Sequence, residues 1–429
     1  MAFVPFWQGR FIKNLATVMA GTLAAQALNL AVVPVLSRLY TPADFGVFGS
    51  FTAVLAVLTA AATLQFAQAV VLPRDEDDAA RLFLLSCLAT VGLAGLCLIV
   101  CCLRADAVLG LFMLPGRTWL LWLLPVAVLA VGFNQALLAW SVRGKTFRWN
   151  AASQVVRAGA AGGLQLLLGM IGSAASGLVG GAIAGETASG ASLYGVVSTS
   201  DRRRFRANAS WRKLVNTARE YRDFPLYATP QNLINAASQG IPVVLLAYYF
   251  GAVAAGCYAV AMRLLQAPVN LVLNALRQVL LQKATEAHNQ GQPLMPIFRK
   301  ITAGLAAVMA VPAAVGFIFA PWLFAQALGA KWAEAGQYAR WLIPWLALSF
   351  CNVPAVLFGR ILRQQRNLLI YDLLLLILRT GALVAGGMLL SPIQTVALFS
   401  LVGSAFNLGI VIWVGFRVAG RDRELAKIR

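Results

Sequence analysis

"YAVAMRLLQAPVN", residues Tyr258–Asn270, lies inside a largely apolar run from Ala252 to Leu281. The run exceeds the roughly 20 residues that carry a helix across bilayer hydrocarbon. An arginine at the centre of such a helix costs roughly 2.5–3.5 kcal/mol on insertion scales, so Arg263 demands a reason. At about 100° per residue, Arg263, Gln266, Asn270, Asn274 and Arg277 fall within about 80° of one another. Leu, Val and Ala fill the rest of the circumference, and Pro268 is placed to bend the helix. Lipid cannot satisfy polar side chains, so this face needs water or protein beside it. It reads either as the wall of a hydrated, positively charged cavity or as an interhelical hydrogen-bond seam with Arg277 reaching to the interface. The depth of Arg263, far from both ends of the run, favours the cavity.

The rest of the chain has the same character. Hydrophobic residues make up 60% of it and charged ones 12%, against roughly 25% charged in globular proteins. Long apolar stretches separated by short polar ones predict an all-α polytopic membrane protein with twelve transmembrane helices, near residues 15–36, 47–68, 80–102, 119–139, 154–173, 176–197, 224–249, 253–278, 301–320, 339–358, 368–390 and 392–416. Arg10 and Lys13 precede a stretch longer than a signal-peptide core, which predicts a retained first helix. With the N-terminus cytoplasmic, about 28 of the 35 Lys and Arg fall on one side and about 5 on the other. That asymmetry accounts for the net charge of +20, puts both termini in the cytoplasm and removes the case for nucleic acid. The six cysteines lie in or beside apolar spans without metal-ligand spacing and read as packing residues. His288 is the only histidine. No nucleophile, metal or cofactor constellation is legible, so the chain does not read as an enzyme. The acidic run "RDEDD" (Arg74–Asp78) reads as a solvated cytoplasmic loop.

Two halves share one plan. An offset of about 210 residues pairs Thr22 with Asn232, Asn29 with Gln239, Gly46 with Gly256 and Gln68 with Gln278. An offset of about 217 pairs Gln135 with Asn352, Arg143 with Arg360 and Asn150 with Asn367, and "RAGA" (Arg157–Ala160) matches "RTGA" (Arg379–Ala382). The order of these matches predicts two six-helix lobes of like orientation, 1–197 and 224–429, joined by a basic cytoplasmic linker, 198–223. The interface between such lobes is where a transporter holds its substrate.

Further polar residues mark the same spans. Thr229, Asn232, Asn235 and Gln239 share a face of the seventh helix, and Thr22, Gln26 and Asn29 form its counterpart on the first. Such amides suit sugar hydroxyls and plain helix pairing equally. Arg379 sits near the middle of "LLLLILRTGALVAGG", Arg157 in the cytoplasmic third of the fifth helix. Glu186 is the one carboxylate placed at mid-membrane, at the depth of Arg379, which suggests an ion pair between the lobes or a proton-coupling role. Asp372 shares a face with Arg379 but is two turns away. A net-positive cavity of this kind favours phosphate or diphosphate, for which arginine is the fork-shaped partner.

"LSRLYTPADFGVFG" (Leu36–Gly49), "AVVLPRDED" (Ala69–Asp77), "YRDFPLYATPQNLINAASQGIPVVLL" (Tyr221–Leu246) and "GCYAVAMRLLQAPVNLVLNALRQVLLQ" (Gly256–Gln282) resemble bacterial polysaccharide, or Wzx-type, flippases of the multidrug/oligosaccharidyl-lipid/polysaccharide (MOP) exporter superfamily. The resemblance implies a two-lobe transporter of the bacterial inner membrane. Its substrate would be undecaprenyl-diphosphate-linked oligosaccharide for O-antigen, capsule or exopolysaccharide, moved by alternating access with the polyprenyl tail in lipid. A polysaccharide polymerase and a chain-length regulator are the implied protein partners. Arg263 matches the arginine of the family's "RLL…P" pattern. Where relatives often carry a glutamate before "VLP", this chain has Gln65 and Gln68, which moves any proton coupling toward Glu186. The alternative within the superfamily is a MATE-like multidrug or metabolite antiporter, for which buried carboxylates of the first lobe would be the hallmark.

Overall fold

A computed structural model describes the backbone of residues 6–111, 118–290, 292–362 and 364–428, and their side chains apart from 6–16, 18, 107–108, 111, 270–283, 285–289 and 425–428. Described residues are helical almost throughout, with no strand among them. The first half runs α1 (Phe6–Leu39), α2 (Pro42–Ala62), α3 (Phe66–Ala69), α4 (Glu76–Leu103), α5 (Ala105–Leu111), α6 (Trp119–Arg143), α7 (Phe147–Met170) and α8 (Ala174–Val196). Two short helices follow, α9 (Thr199–Ala207) and α10 (Trp211–Glu220), then a π-helical turn at Phe224–Ala228. The second half comprises α11 (Thr229–Asn289), α12 (Met295–Leu328), α13 (Ala333–Cys351), α14 (Val353–Ile361), α15 (Gln365–Leu389) and α16 (Pro392–Ile428).

Gly251, at φ 83° and ψ 179°, interrupts α11 and makes two spans of it, 229–250 and 252–289. Only glycine takes that backbone geometry freely. The expected twelve spans are thereby all present as helices. Among the described residues, nine segments are long and apolar enough to cross a membrane by hydropathy, the two parts of α11 counting as one. The other two spans, α7 and α8, are diluted by Gly, Ala, Ser and the polar residues between them. Two expected spans are not continuous. That over 339–358 divides at Asn352, between α13 and α14. The helix over 47–68 breaks after Ala62, where Leu64 and Gln65 adopt left-handed φ of 47° and 58°. The carbonyls released there are met locally: Gln65 Nε2 donates to Ala60 O at 2.7 Å and Thr90 Oγ1 to Ala62 O at 3.2 Å.

Large apolar side chains cover the outside, as on α12, where Val308, Val311, Ile318 and Trp322 are all exposed. In water such a surface would drive association; in a bilayer it is the solvated face.

The chain divides into two compact units, Met1–Ala247 and Tyr248–Arg429. In the first, Thr41 caps α2 reciprocally with Asp44, and Pro42 occupies the first turn, which is the physical content of "YTPADF". Tyr40 Oη donates to Gln165 O at 2.7 Å, and Gln165 Nε2 to Leu178 O at 2.9 Å, tying α1 to α7 and α7 to α8. A methyl group at Gly185 would lie 2.7 Å from both the Cβ of Ala161 and the carbonyl oxygen of Arg157, so α7 and α8 touch backbone to backbone. The segment 198–223 is folded onto this unit. Phe205 of α9 stacks on Phe83 of α4 with centroids 4.4 Å apart, and Arg204 reaches Glu76 at 3.5 Å and Asp77 at 3.4 Å. Arg143 adds a 3.1 Å bridge to Glu76 and donates to the carbonyls of Val70 and Pro73. The acidic run is therefore a dock for arginines rather than a freely solvated loop. Beyond it, Gly240 packs on Ala53 of α2, which is why the unit extends past 198–223 into α11. In the second unit, Phe298, Phe358, Ile410 and Val414 form a core, and Asp422 near the end of α16 accepts from the amides of Leu294 and Met295 at the start of α12.

Leucine at Gly185 is expected to lower the melting temperature of the solubilised protein by wedging α7 from α8, at a cost of about 1–3 kcal/mol. Leucine at Gly163, beside which a Cβ meets nothing within 4 Å, is expected to leave it unchanged. Fluorescence-detected thermal unfolding of the two variants makes the comparison.

Candidate functional site

Each unit gathers its own polar cluster within its long helices. In the first, Arg157 Nη1 of α7 lies 2.9 Å from Glu186 Oε1 of α8. Asn134 Nδ2 of α6 donates to the other carboxylate oxygen at 2.6 Å, and Ser189 Oγ donates to Asn134 Oδ1 at 3.1 Å. Both oxygens of Glu186 are thus engaged by its own half. The sequence suggested Arg379 as its partner; the structure gives it Arg157, because the α7–α8 glycine contacts bring those helices within side-chain reach. Thr22 Oγ1 donates to Gln154 Oε1 at 3.1 Å, so this member of the α1 stripe serves helix pairing. Gln26 and Asn29 are partly buried on the same helix. On the first part of α11, Asn232 is partly buried while Asn235 and Gln239 are exposed, bonded to each other at 3.3 Å.

The second unit repeats the framework with different electrostatics. Asn352 Nδ2 donates to Asn407 Oδ1, and Asn407 Nδ2 to Gly403 O at 2.8 Å. Asn352 and Asn407 are separated by 55 residues, as are Asn134 and Ser189, and stand 218 residues after them. The repeat is therefore one residue out of the register that pairs Gln135 with Asn352. In that frame the position of Glu186 is held by Ser404, whose hydroxyl is buried without a partner. Arg379 lies one turn further along its helix than Arg157 and finds no carboxylate among the described residues. Its guanidinium sits instead in the corner of two rings set edge to face, 3.9 Å from the centroid of Trp345 and 3.8 Å from that of Phe399. Contacts of this kind are worth about 2 kcal/mol or more when desolvated, enough to hold the group but not to neutralise it. Its Nε and Nη2 are buried with no hydrogen-bond partner among the described residues. A held, unpaired fork of donors can take an oxyanion. Trp345 and Phe399 were not legible as site residues, since neither lies at a helical spacing from Arg379.

On the second part of α11, Arg263 and Gln266 are partly buried, and Arg263 makes no ion pair or hydrogen bond among the described residues. The side chains of Asn270 and Asn274 lie outside the described residues.

A family model described as "Polysaccharide biosynthesis protein" matches residues 35–337. The chain belongs to that family. Curated proteins return no match. Among solved structures, an inward-facing multidrug resistance MATE transporter of the MOP superfamily superposes with a TM-score of 0.67 at 12% identity, covering 96% of this chain and 99% of its own. The outward-facing form of such a transporter gives 0.58 at 13%, covering 96% of each chain. A MOP superfamily transporter from Pyrococcus furiosus, whose binding pocket is described as reversed in polarity, gives 0.59 at 13%, again over 96% of each. At these identities the likeness is one of fold. The polysaccharide biosynthesis family member is thus a multi-pass membrane protein with the MOP fold along nearly its whole length.

The Arg157–Glu186 contact makes a separate prediction for this family member. Arg157 is 47% exposed on its side chain, so the coupling is on the order of 1 kcal/mol after solvent screening. A double-mutant cycle of Arg157→Ala and Glu186→Ala, read by thermal unfolding, is expected to show the double variant less destabilised than the two single losses combined. Additive losses would mean that the pair is not formed.

Proposed function

We propose that this protein is a flippase moving polyprenyl-diphosphate-linked oligosaccharide across the bacterial inner membrane for surface polysaccharide, by alternating access between its two halves. The observation that carries the reading is Arg379, gripped by Trp345 and Phe399 with two unpartnered donors. Arg263 joins it as a second intramembrane arginine of the same unit with no counter-ion among the described residues. Together they draw the diphosphate or acidic sugars, while Gln26, Asn29, Asn232, Asn235, Gln239 and Gln266 offer amides to the glycan. Arg157 has less to give an anion, its charge being met by Glu186. Membership in the polysaccharide biosynthesis family supports the cargo class, and the MOP fold supports transport.

The MATE-like antiporter is the second reading, favoured by the fold of the structural neighbours. It calls for a carboxylate free to exchange a cation. Glu186, with both oxygens bonded, is poorly placed for that.

A strain lacking the gene, restored with wild-type, Arg379→Ala or Arg263→Ala copies, tests the proposal. Surface glycan and lipid-linked oligosaccharide are quantified together. Wild type is expected to restore the glycan, and each alanine variant to leave it about tenfold or more lower with lipid-linked units retained, as for lost charge-assisted hydrogen bonds. Arg379→Lys is expected to recover only part, since an ammonium lacks the planar fork of donors that meets an oxyanion at two points. Unchanged glycan with new sensitivity to cationic drugs would move the protein to the antiporter reading.

A further inference from the structure

A cavity of about 570 Å³ opens between α15 and α16 in the second unit, apart from the cluster around Arg379. Its size is within the roughly 300–1,000 Å³ of small-molecule sites. One wall is the α15 stripe Asn367, Ile370, Tyr371 and Leu374, spaced as one helix face. The other is the facing stripe of α16, with Phe406, Ile410, Trp413 and Arg417. The helices are sequential neighbours running in opposite directions, so Asn367, early in α15, and Arg417, late in α16, belong to the same end of the groove. The other end, toward Leu374 and Ala405, is apolar. The lining thus has a cationic, hydrogen-bonding head and a hydrocarbon body.

Three details narrow the occupant. Arg417 is exposed and makes no ion pair among the described residues; it lies loosely over Trp413, 5.6 Å from the ring centroid, and no carboxylate lines the cavity among the described residues. The Tyr371 hydroxyl, a strong donor partway down the groove, is buried with no acceptor among the described residues. A buried hydroxyl in an apolar wall is costly until an acceptor reaches it. Finally, Arg417, Arg421 and Arg423 crowd this end of α16, which assigns it to the cytoplasmic leaflet, where anionic lipids are found.

We infer that the α15–α16 groove binds one anionic glycerophospholipid of the cytoplasmic leaflet. Its phosphate meets Arg417 and Asn367, an ester carbonyl accepts from Tyr371 Oη, and an acyl chain lies along Phe406, Ile410 and Leu374. A polyprenyl phosphate would satisfy the arginine and the apolar wall but has no ester carbonyl for Tyr371. The site does not depend on the cargo proposed above, and its test contains no transport step.

The full chain, purified and delipidated in detergent, is titrated with phosphatidylglycerol, phosphatidylcholine, undecaprenyl phosphate and inorganic phosphate. Retained lipid is read by native mass spectrometry and stabilisation by thermal unfolding. Phosphatidylglycerol is expected to bind and raise the melting temperature, with phosphatidylcholine and inorganic phosphate about tenfold weaker or worse. Arg417→Gln is expected to erase the preference for the anionic lipid, Arg417→Lys to keep part of it, and Tyr371→Phe to weaken both phospholipids while leaving undecaprenyl phosphate unchanged. Leu374→Trp fills the groove without touching its charge. It should abolish lipid retention while the lipid-free protein unfolds at the wild-type temperature, which separates lost binding from lost folding. Equal binding of the two phospholipids, or an unchanged preference in Arg417→Gln, overturns the inference. Stronger binding of undecaprenyl phosphate, indifferent to Tyr371→Phe, overturns it in favour of a polyprenyl site.

Discussion

No polar group of this chain can be left to hydrocarbon, and most of its architecture follows from that. Continuous helices settle the backbone within each span. Where continuity fails, at Leu64 and Gln65, a glutamine and a threonine side chain take up the released carbonyls of Ala60 and Ala62. The same constraint explains why the polar residues of α6, α7 and α8 occur as a joined set. Asn134, Arg157, Glu186 and Ser189 satisfy one another, and glycines on α8 allow the helices to come close enough for it.

The two halves solve that problem differently with a common frame. Both carry an asparagine-centred bond between helices at the same 55-residue spacing, and both carry an arginine on the helix between. In the first half a carboxylate closes the circuit. In the second, serine stands in the carboxylate's place and aromatic faces support the arginine from the sides. Aromatic faces attract a cation without cancelling its charge, so a duplicated plan becomes electrostatically polar. Charge is spent on structure in one half and kept available in the other.

Much of this was legible in the residues. Apolar run lengths placed the twelve spans, including the division near Gly251, though the second was set to begin at residue 47 where the Thr41–Asp44 cap starts α2 at Pro42. Even α7 and α8, which fall below a hydropathy threshold, were among the spans read from run length. What escaped was whatever depends on which helices are neighbours. The partner of Glu186, the rings around Arg379 and the grip of Arg204 on the acidic run join residues far apart in sequence. No periodicity within a single helix encodes them. The break at Leu64 and Gln65 escaped for another reason: neither residue type favours the left-handed backbone that both adopt.

The segment 198–223, basic and loop-like in composition, is stitched to the first unit by Phe205 and Arg204, and that unit continues to Ala247. The chain therefore passes from one unit to the next inside α11, with Gly251 just beyond the crossing as the single residue off helical geometry. A disordered tether carries tension and nothing else. A helix fixes the rise and rotation of every residue along it, so in this crossing only the backbone at Gly251 departs from that fixed geometry.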